Sequence, residues 1–219
     1  MEKMKKAVIL CGGNIREDFA LRYFEKNQYD YWIAADKGLL FLQRNGIVPT
    51  HIVGDFDSAD SSCLEPYRRM PGVEIRKFRP EKDWTDSEIA AKLALELGCK
   101  RMDILGGTGS RLDHVLGNIQ LLALLLEAGA EGYLMDPNNR IYLKDRDFTV
   151  SRKEQWGRFV SLFAYGGDVT GLTLRGMKYR LDDFTLGTVG TRGISNEIAE
   201  ETGEIRFRSG RLLVVESRD

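Results

Sequence analysis

The sequence has no long hydrophobic run and almost no net charge. Its longest apolar stretch, residues 121–126, is far shorter than the roughly 20 residues that a membrane-spanning helix needs. The formal net charge is −1, and Lys and Arg are spread along the chain without a dense basic run. Membrane spans and nucleic-acid surfaces both leave such signatures, so we expect neither a membrane nor a nucleic acid as a partner.

Cysteine is also scarce. Cys11, Cys63 and Cys99 are odd in number and lack the spacing of metal ligands, so we predict reduced and mostly buried thiols. Residues 1–6 are charged, and the apolar run behind them is only about five residues long, which is too short for the core of a signal peptide. These features predict a cytoplasmic protein.

The composition that remains is that of a globular protein. Hydrophobic residues make up 42% and charged residues 30% of the 219 positions, enough for one large domain or two modest ones. Strand-like and helix-like patterns alternate over residues 6–135, which predicts a parallel sheet with helices on both faces. The strands are predicted at residues 6–11, 31–35, 50–54, 73–77, 101–105 and 131–135.

The helices of this region have local signals of their own. Thr85 and Glu88 form a capping-box pattern at the start of a helix over residues 86–97, and Gly98 is placed to end it. A short helix is predicted over residues 64–70, and a longer one is predicted to open at Ser110.

The pattern of the sequence changes after about residue 147. Ten of the 23 glycines lie from Gly157 onward, and short β-rich runs recur at residues 159–164, 169–174, 205–209 and 212–216. This pattern predicts a small antiparallel sandwich or barrel. No internal repeat or low-complexity linker is evident, and the boundary is expected between residues 138 and 149. We take residues 1–143 as the first domain and 144–219 as the second.

An acidic motif follows the predicted strand at residues 50–54. Asp55 and Asp57 flank Phe56 and would emerge at the carboxyl end of that strand, where open α/β sheets place their ligands. If the chain stays extended, both carboxylates lie on the same side. Mg²⁺ favours such hard oxygen ligands. A solvated acidic turn is the structural alternative, because Gly, Asp and Ser all favour turns.

Two further motifs are predicted at the same edge of the sheet. In residues 82–88, Asp86 has a structural explanation in the first helical turn, whereas Asp83 has none. The turn from Gly106 to Gly109 feeds a helix amino terminus, where Arg111 can hold phosphate oxygens. Asp113 can be read as a capping partner of Ser110 and His114 as an ordinary helix residue.

Together with Asp36 after the second predicted strand, these motifs indicate Mg²⁺-assisted transfer of a phosphoryl-type group. The sequence offers no nucleophile paired with a base, so no covalent intermediate is expected.

The chain resembles the thiamine pyrophosphokinase (thiamine diphosphokinase) family over nearly its whole length. The matching motifs are residues 35–38, 49–50 with 54–58, 82–88, 106–114 with Asn118, and 193–197. The resemblance implies a Rossmann-like α/β nucleotide-binding catalytic domain and a C-terminal antiparallel β-sandwich that binds thiamine and dimerises. It also implies a homodimer whose thiamine site is shared between subunits. The implied reaction transfers the diphosphate of ATP to the hydroxyl of thiamine and releases AMP.

The resemblance also implies roles for individual residues. Asp55, Asp57 and Asp86 would hold Mg²⁺ and the phosphates. The surrounding ATP and thiamine shell would consist of Asp36, Asp83, Gly106, Gly107, Arg111, Asp113 and His114. Ser195 and Asn196 would contact thiamine from the second subunit. Lys37 departs from the small residue of many relatives. Tyr179 and Trp84 are the candidates for the aromatic that stacks on thiamine, and packing within the protein is the alternative role of each.

Three other functions fit parts of the sequence. A different Mg²⁺-dependent phosphotransferase or hydrolase would use the same acidic loops on another alcohol, and would be separated by its products. A sensor of thiamine or nucleotide would bind without releasing AMP. A structural β-sandwich protein would leave the acidic residues of the first domain unexplained.

Overall fold

The computed structural model describes residues 4–55, 61–77 and 84–219. The chain forms two compact units, Met1–Pro137 and Asn138–Asp219. No helix in the described part is both long enough and apolar enough to cross a membrane.

The first unit is a parallel sheet with helices on both faces, as predicted. Its strands are β1 (Lys5–Leu10), β2 (Tyr31–Ala35), β3 (His51–Gly54), β4 (Glu74–Lys77), β5 (Cys99–Leu105) and β6 (Glu131–Met135). Its helices are α1 (Glu17–Lys26), α2 (Gly38–Arg44), α3 (Asp86–Glu96) and α4 (Leu112–Glu127). The strands lie in the order β6-β5-β1-β2-β3-β4, and each neighbouring pair is parallel.

The direction in which successive strands are added to the sheet reverses at β1. The chain adds β2, β3 and β4 on one side of β1, and then adds β5 and β6 on the other side. The chain leaves β1 towards one side of the sheet and leaves β5 towards the other, so a crevice opens between the carboxyl ends of these two strands. Open α/β sheets bind their ligands in the crevice at such a switch point.

The core explains why these segments become central strands. Ala7, Val8, Ile9 and Leu10 of β1 are all fully buried, so the strand is apolar on both faces, as parallel strands covered by helices are. On one face, Val8 and Leu10 belong to a cluster with α1 and α2. Helix α3 contacts β1, β2, β3 and β5, and buries mainly small side chains there, including Ala90, Ala91 and Ala94.

Two helix predictions were wrong and one was confirmed. Residues 64–70 do not form an α-helix; a 3-10 helix at Ser61–Leu64 is followed by turns, because Pro66 disfavours helical geometry in the residue before it. Helix α4 begins at Leu112 and not at Ser110. Helix α3 begins as predicted, since the Thr85 hydroxyl accepts a hydrogen bond from the Glu88 amide at 3.3 Å.

The second unit is antiparallel, as predicted. Its strands are β7 (Asn139–Lys144), β8 (Phe148–Ser151), β9 (Phe159–Ala164), β10 (Val169–Arg175), β11 (Leu181–Leu186), β12 (Asn196–Glu197), β13 (Thr202–Arg206) and β14 (Leu212–Ser217). They form two layers of a sandwich, ordered β12-β9-β14-β7 and β11-β10-β13-β8. The predicted strand at residues 205–209 was displaced, because pairing with β8 begins at Thr202.

A buried ion pair lies within this unit. Glu216 of β14 is fully buried, and its carboxylate accepts hydrogen bonds from the Arg140 guanidinium at 2.7 and 2.8 Å and from the Trp156 amide at 2.8 Å. Burial of a carboxylate is tolerated because these three hydrogen bonds replace those of its lost water.

Candidate active site

A cavity of about 430 Å³ lies in the first unit at the switch point of the sheet. Its walls come from the turns that follow β1, β2 and β5 and from the first turns of α3 and α4. The lining residues are Cys11, Gly12, Gly13, Ala35, Asp36, Lys37, Thr85, Asp86, Ser87, Gly106, Gly107, Gly109, Ser110, Arg111, His114 and Asn118. Six of the predicted site residues are therefore brought together: Asp36, Asp86, Gly106, Gly107, Arg111 and His114.

Two backbone turns touch at the base of this cavity. The Cys11 amide donates to the Leu105 carbonyl at 2.8 Å, and the Gly13 amide donates to the Gly106 carbonyl at 3.0 Å. A Cβ atom on Gly13 would lie 2.3 Å from the Gly106 oxygen, so a side chain cannot be accommodated there without moving the backbone. Glycine at position 13 thus lets the turns after β1 and β5 close against each other.

Asp36 is held at the cavity by an unusual backbone conformation. It follows β2 with φ of 48°, in the left-handed region that non-glycine residues seldom occupy. Its amide donates to the Val53 carbonyl at 2.9 Å, and its carbonyl accepts from the Leu39 amide at 3.1 Å. Such strained residues concentrate at functional sites, where the surrounding structure fixes them.

Asp86 enters the cavity from the first turn of α3, and a buried amide ties this turn to the glycine turn. The Ser87 hydroxyl donates to Asn118 Oδ1 at 2.8 Å, and Asn118 Nδ2 donates to the Gly107 carbonyl at 2.9 Å. Asn118 itself is buried on α4. A single side chain therefore links α3, α4 and the turn after β5.

Cys11 is the one thiol in the cavity lining. Burial, reinforced by the negative charge of Asp86, raises the pKa of Cys11 to about 12. The thiol therefore stays protonated at neutral pH and is a poor nucleophile.

Arg111 and Asp113 form an exposed ion pair at the start of α4. The guanidinium contacts both carboxylate oxygens, at 3.2 Å from Nε and 2.5 Å from Nη2. The hydrogen bond from Arg111 holds the pKa of Asp113 below its usual range, so this carboxylate is ionised at neutral pH. The interpretation of Asp113 as a capping partner of Ser110 was wrong. Arg111 is the N-cap residue of α4, and its guanidinium binds the Asp113 carboxylate.

Asp55, another predicted site residue of the first domain, stands apart from this lining. Asp55 is half-buried directly after β3, two strands from β1, which corresponds to about 10 Å across the sheet. The lining residues given above do not include it. Asp57 and Asp83 lie outside the described residues.

Ser195 and Asn196 belong to the second unit and differ in their surroundings. Ser195 is exposed and has φ of 56°, and its amide donates to the Ser161 hydroxyl at 3.0 Å. Asn196 is buried and lines a second cavity, of about 490 Å³. Leu174, Lys178, Tyr179, Arg180, Leu181, Thr191, Arg192, Gly193 and Ile194 complete that lining.

Several residues of the first cavity were missed as site residues in the sequence. Gly12, Gly13, Lys37 and Ser87 were not assigned a role, and Asn118 was noted only as part of a motif. The pair Gly12-Gly13 directly after a buried strand was the available signal, because a turn at that position in an open α/β sheet borders the ligand crevice. For Ser87 and Asn118, 31 positions apart, no local pattern indicates a contact.

Comparison with known proteins gives a consistent result. The family model described as "Thiamin pyrophosphokinase, catalytic domain" matches residues 24–134, and "Thiamin pyrophosphokinase, vitamin B1 binding domain" matches residues 147–212. A thiamine pyrophosphokinase of Bacillus subtilis is 33% identical over 194 residues, covering 88% of this chain and 90% of that protein.

Solved structures agree with the sequence matches. The thiamine pyrophosphokinase from Bacillus subtilis superimposes with a TM-score of 0.86 at 32% identity, over 98% of this chain and 100% of that one. The thiamin pyrophosphokinase from Geobacillus thermodenitrificans gives 0.81 at 28% identity, with 98% of each chain covered. With its two units, its switch-point cavity and these similarities, the chain belongs to the thiamine pyrophosphokinase family.

Proposed function

We propose that the cavity at the switch point is where this chain carries out the reaction of its family, transfer of the diphosphate of ATP to the hydroxyl of thiamine. The observation that carries this assignment is the juxtaposition of two carboxylates, Asp36 and Asp86, with a glycine turn and the amino termini of α3 and α4. Helix amino termini and glycine turns favour phosphate groups. The carboxylates would repel phosphates unless a cation joined them.

The donor set at this edge fits Mg²⁺. Asp36 and Asp86 border the cavity and Asp55 follows the neighbouring strand β3, so the available ligands are hard carboxylate oxygens. Mg²⁺ commonly uses one or two carboxylates together with substrate phosphates, so a few carboxylates at this edge suffice for an ion shared with ATP. We assign the metal to Asp55, Asp57 and Asp86; bound there, it would neutralise charge that develops on the phosphates.

We assign the binding of ATP and the activation of thiamine to other side chains around the cavity. The turn at Gly106 and Gly107 and the exposed Arg111 would bind and orient the phosphates of ATP, with Asp36 and His114 beside them. Asp83 or Asp113 would orient or deprotonate the thiamine hydroxyl, which then attacks the β-phosphorus in line with the departing AMP. Because Asp113 is ionised and paired with Arg111, it can accept a hydrogen bond from the hydroxyl and orient it, whereas its lowered pKa makes it a weak base, so proton removal would fall to Asp83.

We further propose a division of labour between the domains. Residues 1–143 would bind nucleotide and residues 144–219 would bind thiamine and dimerise, with Ser195 and Asn196 serving the site of the partner subunit. The family-model match to residues 147–212 as a vitamin B1 binding domain supports this. The three free cysteines support a cytoplasmic location.

Light scattering of the purified chain tests whether it forms a dimer. The shared site is tested by mixing inactive Asp86→Asn chains with inactive Ser195→Ala chains. If each site takes residues from both subunits, a mixed dimer has one site with neither substitution and regains activity.

The decisive experiment follows the products formed from thiamine, ATP and Mg²⁺. Equal amounts of AMP and thiamine diphosphate are expected, whereas ADP would indicate a different phosphotransferase, and tight binding without turnover would indicate a sensor. Asp55→Asn and Asp57→Asn should each lower kcat by about 10²-fold or more while the fold persists, because each removes charge stabilisation at the reacting phosphates. Asp18→Asn is the matched control, since Asp18 is an exposed carboxylate of α1 paired with Arg16 and Arg22. Near-normal turnover of both variants would refute the assignment.

A further inference from the structure

Lys37 lines the candidate active site but has no part in the function proposed above. It follows Asp36 in the turn after β2, and its side chain is exposed. The other permanent cation in the described lining is Arg111, which is paired with Asp113. Within the part of the chain that the structure describes, no carboxylate is paired with the Lys37 ammonium. The cavity therefore contains an ammonium group whose charge no described side chain balances.

The local helix does not explain a lysine at this position. Lys37 is the N-cap residue of α2, and its carbonyl accepts a hydrogen bond from the Leu40 amide at 3.1 Å. Its side chain makes no capping hydrogen bond, because an ammonium group has no acceptor to offer a backbone amide. A helix amino terminus favours negative rather than positive charge. The stability of α2 therefore gives no reason for the charge of Lys37.

Close backbone contacts hold the base of the Lys37 side chain at the cavity wall. A Cβ atom on Gly12 would lie 3.3 Å from Lys37 Cβ and 3.5 Å from Asp36 Oδ2, so both side chains face the turn after β1. A Cβ atom on Gly38 would lie 1.9 Å from the Leu10 carbonyl oxygen, so the backbone after Lys37 packs directly against the end of β1. Beyond this fixed base, the lysine stem is flexible and can adjust to a bound group.

Lys37 and Arg111 border the cavity on opposite sides of β1. Lys37 follows β2, whereas Arg111 precedes α4 in the turn after β5. Strands β2 and β5 are the two neighbours of β1, so they lie about 10 Å apart across the sheet. The phosphates of a nucleotide that crosses the carboxyl end of β1 would therefore meet Arg111 on one side and Lys37 on the other.

The charges in this cavity leave a triphosphate short of positive partners. Arg111 shares its charge with Asp113, and the proposed Mg²⁺ shares its charge with the carboxylates that would hold it. Asp36 and Asp86 add negative charge to the lining. A further cation beside the phosphates would offset this negative charge, and Lys37 lies in the lining to supply it.

We propose that Lys37 is a further ATP-binding residue, whose ammonium donates hydrogen bonds to a phosphate of the nucleotide from the β2 side of the cavity. Hydrogen bonds between an ammonium group and phosphate oxygens are charge-assisted and therefore strong. The inference rests on the proposed function, because ATP is the diphosphate donor of that reaction.

Replacement of Lys37 by methionine tests this contact. Lys37→Met removes the charge and keeps an unbranched stem. It should raise the KM for ATP about 10-fold or more, the effect of losing a hydrogen bond to a charged group. The KM for thiamine should change less than about twofold, since the lost contact is to the nucleotide. An unchanged KM for ATP would overturn the proposal.

The matched variants separate charge from packing. Lys37→Arg keeps the positive charge and should raise the KM for ATP less than about threefold. A rise as large as that of Lys37→Met would show that the stem matters and not the charge, which would overturn the proposal. Lys100→Met is the control, because Lys100 is an exposed lysine near the amino end of β5, whereas the cavity lies at the carboxyl ends of the strands. Its KM for ATP should equal that of the unaltered chain, and a rise equal to that of Lys37→Met would count against a specific contact.

The salt dependence of the KM for ATP is a readout that a purely structural role would not change. Dissolved ions screen exposed charges, so added KCl should raise the KM for ATP of the unaltered chain. The rise should be less steep in Lys37→Met, which has one charged contact fewer. Equal slopes in the two chains would contradict a direct contact between the ammonium and a phosphate.

The outcomes also distinguish this inference from the function on which it rests. If Lys37→Met leaves the KM for ATP unchanged while AMP is still released from ATP and thiamine, the role of Lys37 is refuted and the function stands. If the unaltered chain releases no AMP, the proposed function fails. Calorimetric titration with ATP and Mg²⁺ then measures the contact as Kd. A Kd about 10-fold higher in Lys37→Met would support the contact, and equal values would refute it as well.

Discussion

Replacement of Asn118 by alanine tests whether one side chain holds the candidate active site together. Asn118 is buried, donates to the Gly107 carbonyl at 2.9 Å and accepts from the Ser87 hydroxyl at 2.8 Å. The two bonds join the turn after β5 to the helix that carries Asp86. Asn118→Ala removes both bonds at once and leaves the buried Gly107 carbonyl without this donor.

The expected loss of stability follows from these contacts. The bond from the Ser87 hydroxyl contributes about 0.5–1.5 kcal/mol net, and leaving the buried Gly107 carbonyl unsatisfied costs about 1–3 kcal/mol. We expect Asn118→Ala to lower the free energy of unfolding by about 2–4 kcal/mol. Ser87→Ala removes only one bond and should cost about 1 kcal/mol.

The measurement is urea denaturation followed by circular dichroism at 222 nm. This signal reports on the first unit, because helices α1, α2, α3 and α4 all belong to it. The KM for ATP should rise in Asn118→Ala, since the glycine turn and α3 are no longer tied together. Asn27→Ala, which loses one bond at the end of α1, should leave the KM for ATP unchanged. A stability change below about 0.5 kcal/mol in Asn118→Ala, the range of ordinary surface substitutions, would refute the reasoning.

Two other predictions concern the second unit. Arg140→Met leaves the carboxylate of Glu216 buried without its cation and should destabilise the unit by about 3–5 kcal/mol. The measurement is tryptophan fluorescence during urea denaturation in a Trp32→Phe, Trp84→Phe background, where Trp156 alone emits, and a loss under about 1 kcal/mol would contradict the prediction. Hydrogen bonds from Arg158 and Lys178 lower the pKa of Glu197 to about 2, so its stabilisation is complete above the unfolded pKa of about 4.3 and is lost as the pH falls towards 2. The unfolding temperature should therefore decline less in Glu197→Gln than in the unaltered chain between pH 5 and 3, and identical declines would contradict the prediction.

The elements of the fold that local sequence specifies were predicted well. Helix α3 begins at Asp86 as its capping pattern indicates, and Gly98 follows it with φ of 82°. Strands β2, β6 and β9 have the predicted bounds, because each is an apolar run bounded by polar or glycine-rich residues. Prediction failed where distant partners decide. Strand β13 begins at Thr202 because it pairs with β8, which lies far from it in the chain. Helix α4 is a local failure: it begins at Leu112 because Arg111 still has extended backbone geometry.

The sequence by itself determined the alternation of strands and helices, the family, and the edge of the sheet to which Asp36, Asp86 and the turn at Gly106 belong. These follow from local periodicity and from the topology of parallel sheets. Only the tertiary structure decided how side chains far apart in the chain share their hydrogen bonds. Asn118 closes the first cavity through Ser87 and Gly107, and Asn196 directs its amide to Tyr179. Such pairings depend on the order and register of packed elements and on side-chain rotamers, which no local pattern specifies.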